Sequence, residues 1–350
     1  MIIRKWPILV LLAAAAAAPI AVACSETGPD AGPRTNGCIG EGCFDASAGG
    51  DGGGPGPGQD GGGNADGGVE ITDPLVGITL TATLVVGGFV FTEGPVWIGG
   101  RLLFGDIQSN PTKILELAAN NTTTVFRTPG NGPGGNAVDP QGRLVTTEGR
   151  NTRSVVRSDA TSAAARTTLA SQFGGLPFNS PNDLIVRADG NIYFTDPDYG
   201  ADPDAGARQP KQGVFRIAPA GAVSRVKEYD TLPNGIGLSP DGTKLYVVDN
   251  DPAANVVNVW SLAVDGAPSG ETKFADVVGG DGMAVDDRGN VYVAATAGII
   301  VFDKSGTTLG TITVPEVPSN CTFGGADRKT LYITARTGLY SIKLNVAGLP

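Results

Sequence analysis

The feature that most constrains this chain is a unit that recurs six times. A turn is followed by a short β-rich run at Gly100 with RLLFGD, Gly142 with RLVTTE, Gly190 with NIYFTD, Gly242 with TKLYVVD, Gly289 with NVYVAA and Lys329 with TLYITA. The first five glycines are 42, 48, 52 and 47 residues apart. Periods of this length signal stacked or radially arranged units, and each unit here carries strands rather than helices. Ahead of every turn lies a second recurring segment (EGPVWI, GNAVDP, PNDLIV, PNGIGL, DGMAVD and NCTFGG), and after it a third, such as Val257 with NVWSL or Ile299 with IVFD. Three or four strands per unit, six times over, predict an all-β, six-bladed β-propeller across residues 71–350. A sandwich or an open solenoid is the less economical arrangement of the same strands.

The last copy reaches Pro350 too soon after Leu339 to supply a fourth strand of its own. The alternating run from Ile78 to Val86 precedes the first unit. It is expected to pair with the final blade, closing the ring and removing an exposed sheet edge.

Residues 1–70 read differently. Arg4 and Lys5 precede an apolar, alanine-rich run that ends in Ala21-Val22-Ala23-Cys24, the layout of an export signal. Residues 1–23 resemble a bacterial lipoprotein signal peptide, with Cys24 as the lipidated residue, so the protein is expected to be exported and anchored to a membrane on its periplasmic side or at the cell surface. From Ser25 to Glu70, 17 of 46 residues are Gly, eight are acidic and one is basic. Such a composition buries no core, and residues 24–70 are expected to form a disordered Gly-rich tether. Cys38 and Cys43 are positioned to pair in an oxidising compartment, while Cys321 sits in an apolar strand pattern and is expected to be buried.

Composition narrows the chemistry. The chain has no histidine, which excludes Ser-His-Asp and Cys-His catalysis and His-ligated zinc. A net charge of −10, without any Lys or Arg cluster, argues against a nucleic-acid partner. No Gly-x-Ser-x-Gly nucleophile elbow is present.

What remains is oxygen chemistry. In each copy the upstream strand opens with a polar residue: Glu93, Asn136, Asn182, Asn234, Asp281 and Asn320, spaced 43, 46, 52, 47 and 39 residues apart. Asn and Asp beside Gly or Pro are ordinary turn residues when met singly. If the six strands are innermost, however, their side chains converge at one end of the central channel as a hard-oxygen set suited to one divalent cation. Ca²⁺ fits best, with Mg²⁺, Mn²⁺ or Zn²⁺ as alternatives.

These residues also carry a family resemblance. Glu93-Gly-Pro-Val-Trp97, Asn179-Ser-Pro-Asn-Asp183, Phe194-Thr-Asp-Pro197, Pro233-Asn-Gly235, Asp281-Gly-Met283 and Ser319-Asn-Cys-Thr-Phe323 resemble the gluconolactonase, regucalcin-like family over roughly residues 75–345. The resemblance implies a six-bladed propeller with a catalytic divalent cation that hydrolyses sugar lactones; some relatives hydrolyse phosphotriesters. Carried over, it makes Glu93, Asn234 and Asp281 metal ligands, with Asn182 completing the shell or holding substrate. Asp281 is the expected general base. Asn136, Asn320 and Arg150 are expected to meet substrate oxygens or an anionic substituent, with Arg153 nearby. Many bacterial members have Glu-His-Gly where this chain has Glu148-Gly149-Arg150, so their substrate preference does not transfer directly. The polar insertion from Asp198 to Gly213 is expected to cover the channel mouth. The expected partner is a small lactone or ester, met by a monomer that touches membrane only through its lipid. A non-enzymatic propeller binding a sugar or peptide is the alternative from another class.

Overall fold

The computed structural model describes residues 73–149, 152–161, 165–199 and 206–349. Six four-stranded antiparallel sheets make up six blades. Their innermost strands are Thr92–Ile98, Pro133–Val138, Leu184–Val186, Pro233–Leu238, Met283–Val285 and Pro318–Gly324, in blades one to six. The repeated turn joins each innermost strand to the second strand of its blade. Gly100, Gly142, Gly190, Gly242 and Gly289 have φ between 64° and 88°, the left-handed region that a side chain disfavours. The repeat is therefore a repeat of backbone geometry.

As expected, the ring is closed from the front of the domain. Thr83–Gly87 pairs antiparallel with Gly338–Lys343 as the outermost strand of blade six. The closing strand is shorter than the alternating run because Thr81 instead bridges to Thr313 beside blade five. At the opposite end of the domain, Gly348 bridges to Asp286 on the channel end remote from the polar ring.

Apolar residues of neighbouring blades pack between the sheets. Between blades two and three, Phe178, Phe194 and Phe215 are fully buried with ring centroids 5.0 to 5.5 Å apart. Each contributes on the order of 1.5–3 kcal/mol of burial. Cys321 is buried, its thiol donating to Tyr292 O at 3.7 Å. Cys24, Cys38 and Cys43 lie outside the described residues.

The blades are also stitched together around the axis by backbone carbonyls. Asn136 Nδ2 donates to Gly94 O at 2.8 Å, Gly135 N to Asn182 O at 2.6 Å, and Thr195 Oγ1 to Asn234 O at 2.7 Å. Gly235 N to Asp281 O, Gly282 N to Ser319 O, and Ser319 Oγ to Thr92 O complete the circle. Such close approach excludes side chains. A Cβ on Gly94, whose φ is 51°, would lie 1.9 Å from Gly134 O, and one on Gly282 would overlap the Asn320 amide.

Candidate active site at the channel mouth

The polar residue of each copy sits where its inner strand leaves regular pairing. Register shifts fall between Glu93 and Val96, Pro133 and Asn136, Pro233 and Ile236, and Pro318 and Asn320. In blades three and five, regular strand begins only after Asn182-Asp183 and Asp281-Gly282. A bulge re-aims a side chain, so four bulged strand starts and two late strand starts set these residues apart from the regular ladder.

The ring has an order that the sequence reading missed. A third acid, Asp183, belongs to it: Glu93, Asp183 and Asp281 come from blades one, three and five, while Asn136, Asn234 and Asn320 come from blades two, four and six. Acids and carboxamides alternate. Asp183 is 7% exposed and accepts hydrogen bonds from Leu184 N at 2.9 Å and from Ile236 N of the next blade at 3.3 Å. It was hidden in the sequence beside Asn182, where only one of two adjacent polar residues was assigned to the axis.

The carboxamides hold one another and the acids. Asn320 Nδ2 donates to Glu93 Oε2 at 3.4 Å, and its side chain holds the Asp183 carboxyl down against the effect of burial. Asn182 Nδ2 donates to Asn234 Oδ1 at 2.7 Å, and Asn234 Nδ2 to the Tyr199 hydroxyl at 3.4 Å. Asn136 is more committed to the scaffold than a substrate-facing role requires, because it donates to Gly94 O and accepts from Thr146 Oγ1 at 2.8 Å.

The electrostatics are those of trapped like charge. Burial pushes the Asp183 carboxyl up to about 7. Burial and then the Asp183 charge push Asp281 to about 7, against a hydrogen bond from Asn234 and the positive charge of Arg336. Glu93 is held well above the usual carboxylate range, first by burial and then by Asp281 and Asp183. Among the described residues no three His, Cys, Asp or Glu side chains are drawn together as a ready-made cage. The donor set nevertheless fits a hard divalent ion. It mixes anionic and amide oxygens, lacks nitrogen and thiolate, and carries buried negative charge that a cation would relieve.

The remaining expected residues lie around this centre. Arg150 is outside the described residues. Arg153 is buried at φ 46° and its positive charge acts on Asp196, which burial pushes up to about 7. Glu148 is buried and anchored by Arg166 at 2.6 Å, Asn131 at 3.0 Å and Thr152 at 2.8 Å. From the polar insertion, Tyr199 reaches the mouth and donates to Asn250 Oδ1 while meeting Asn234.

Comparison with known proteins agrees with this geometry. Residues 91–337 match the SMP-30/Gluconolactonase/LRE-like region. A gluconolactonase from Zymomonas mobilis is 31% identical over 306 residues, covering 79% of this chain and 85% of that protein. A solved gluconolactonase from Xanthomonas campestris is 32% identical, with a TM-score of 0.71 over 79% of this chain and 93% of its own. A calcium-binding regucalcin structure from Agrobacterium tumefaciens, at 21% identity and a TM-score of 0.64 over 77% of this chain and 95% of that one, shares the fold. By its family match and by its likeness in sequence and fold to gluconolactonases, this chain belongs to the SMP-30/gluconolactonase/LRE-like family.

Proposed function

We propose that this protein is a divalent-cation-dependent hydrolase that opens sugar lactones. The observation that carries the reading is the set of three carboxylates on alternate blades, Glu93 and Asp183 buried and Asp281 half-buried, in a chain about 30% identical to gluconolactonases over most of its length. Glu93, Asn182, Asn234 and Asp281 would hold the ion, with Ca²⁺ as the best match to their oxygen donors. A bound divalent ion supplies Lewis-acid polarisation of an ester carbonyl.

The chain's own residues do the rest. Asp281, the carboxylate at the axis beside Asn234, takes the proton from the attacking water. As the water oxygen bonds to the carbonyl carbon, the ring C–O bond breaks and its oxygen leaves with the proton that Asp281 had accepted, giving a hydroxy acid whose new carboxyl then releases its own proton to solvent. Asn320 fixes Glu93, and Tyr199 fixes Asn234. Asp183 adds negative charge from within hydrogen-bond reach of Asn320 and sets the position of Ile236. Export and lipid anchoring at Cys24 belong to the same reading, with Ser25 to Glu70 as the tether.

The test is proton release from a panel of sugar lactones by the purified chain, with calcium, with chelator, and with Asp281→Asn. Calcium-dependent turnover lost in the variant supports the reading. Calcium binding without turnover of any lactone refutes it in favour of a binding module, and turnover of phosphotriesters alone reassigns the chemistry.

A further inference from the structure

A turn in blade six puts a positive charge beside the acid ring and leaves it unanswered. Arg336 and Thr337 join the strands Thr330–Ala335 and Gly338–Lys343. Ala335 pairs with Pro318, two residues ahead of Asn320, so the turn stands where the inner strand enters the ring. From the other side, Thr92 N and Thr92 Oγ1 donate to Arg336 O at 2.8 and 3.3 Å, one residue from Glu93. Arg336 is thereby fixed between the ring residues of blades six and one. Its charge is felt at Asp281 of blade five, against the larger effects of burial and of Asp183.

Nothing in the fold uses that charge up. The second strand of blades one to four ends in an acid, Asp106, Glu148, Asp196 or Asp249, but in blade six it ends in Ala335. Glu316 is turned to other donors: Thr337 N at 2.8 Å, Thr337 Oγ1 at 2.9 Å and the Tyr340 hydroxyl at 2.9 Å. Among the described residues no carboxylate pairs with the Arg336 guanidinium, whereas Arg101, Arg187 and Arg225 each have one. In a chain with 35 acids against 25 bases, an arginine left without one stands out. The guanidinium instead lies over the Phe91 ring, 5.0 Å from its centroid, and the residue is exposed. Held by an aromatic face, a guanidinium keeps its N–H fork for a planar acceptor. The backbone is held against its preference as well, since Arg336 has φ 42°, in the left-handed region that a long side chain disfavours.

We infer that Arg336 receives a carboxylate carried by the substrate, which rests on the lactonase reading and names its substrate class: lactones of sugar diacids, with one carboxyl closed in the ring and the other free. With one divalent ion bound, three ionised acids leave a single negative charge at the mouth, which repels an anionic lactone. Arg336 cancels that charge and offers two parallel N–H donors to the free carboxylate. A neutral sugar lactone has no group that calls for it.

The test uses D-glucaro-1,4-lactone and D-glucono-1,4-lactone, which differ only at C6, carboxylate against CH₂OH. Both kcat and KM are measured in calcium for the unmodified chain, Arg336→Gln, Arg336→Lys and Arg336→Gly. We expect the unmodified chain to favour the carboxylated lactone. Arg336→Gln should raise the KM of that lactone about tenfold more than the KM of the neutral one, the worth of a charged hydrogen-bonded pair. Arg336→Lys should restore part of the difference, since it keeps the charge without the fork. Added salt should erode the preference of the unmodified chain. Arg336→Gly relaxes the turn, so it carries the same test should the glutamine variant melt early. Turnover of both lactones with a KM ratio that no variant changes overturns the inference and leaves the lactonase reading intact. An equal loss on both lactones assigns Arg336 to the acid ring alone and overturns it too. No turnover of either lactone overturns both readings.

Discussion

Replacing Asp183 by Asn should make the cation-free protein more stable, and more so as pH rises. The native carboxyl titrates near 7, against an ordinary value of 3.8. A carboxylate whose folded value is raised lowers stability as pH climbs from the unfolded value through the folded one, since the native state must then give up a proton it holds more tightly than the unfolded chain does. At about 1.4 kcal/mol per pH unit, the cost of keeping Asp183 in the fold is about 1.5 kcal/mol at pH 5 and about 4 kcal/mol at pH 8. Asn carries no such term. It loses one acceptor, because its Nδ2 faces the donor N–H of either Leu184 or Ile236, but that penalty is the same at both pH values. The difference between variant and unmodified chain should therefore swing by about 2.5 kcal/mol between pH 5 and pH 8, or roughly 4 °C in Tm for a domain of this size. Glu93 and Asp281 add to the swing, since both are raised by the Asp183 charge. The assay is a thermal or urea melt in chelator at the two pH values, repeated with calcium, where the unmodified chain should gain more than Asp183→Asn. A stability difference between Asp183→Asn and the unmodified chain that is the same at pH 5 and pH 8 would refute the trapped-charge account of the site.

Other outcomes follow from the same geometry. Gly94→Ala places a Cβ 1.9 Å from Gly134 O at a φ of 51°, so it should cost at least ~3 kcal/mol and misplace Glu93, read as a lowered urea midpoint together with weaker calcium binding. Glu148→Gln removes the charge that Arg166 of the same blade meets at 2.6 Å and that Arg127, at the outer edge of blade one, meets at 3.8 Å. It should cost ~3 kcal/mol, because Arg127 is buried and left uncompensated; Arg127→Met with Glu148→Gln should recover most of that in chemical denaturation. Deleting everything ahead of Gly88 exposes the Gly338–Lys343 edge and should yield a chain that self-associates in light scattering and melts at least ~10 °C lower.

Much of this architecture was legible in the chain. Blade number followed from the left-handed glycine turns, since a backbone need is written directly as a residue type. Closure by the run near Thr83–Gly87 followed from a missing fourth strand. The polar ring was legible in register but not in content. Asp183 is indistinguishable in sequence from a turn residue following Asn182, and its place on the axis depends on Ile236 of the neighbouring blade. Asn136 looked free for substrate, yet Thr146 and Gly94 engage it through pairings across strand and blade that no local pattern records. Tyr199 and Arg336 act on the site from connections, where sequence carries no periodic signal to place them.

The closing strand also sets the order in which the molecule becomes functional. Glu93 in the first blade meets Asn320 in the last across 227 residues of chain, and blade six is incomplete until Thr83–Gly87 joins it. A chain emerging from synthesis thus carries five blades' worth of sequence before its ring of polar residues is complete. Glu93 has its Asn320 partner only when the last blade is in place, so a truncated or stalled copy holds the carboxylates without the arrangement that makes them useful. Completion of the circle is the molecule's own proof that it has been made to the end.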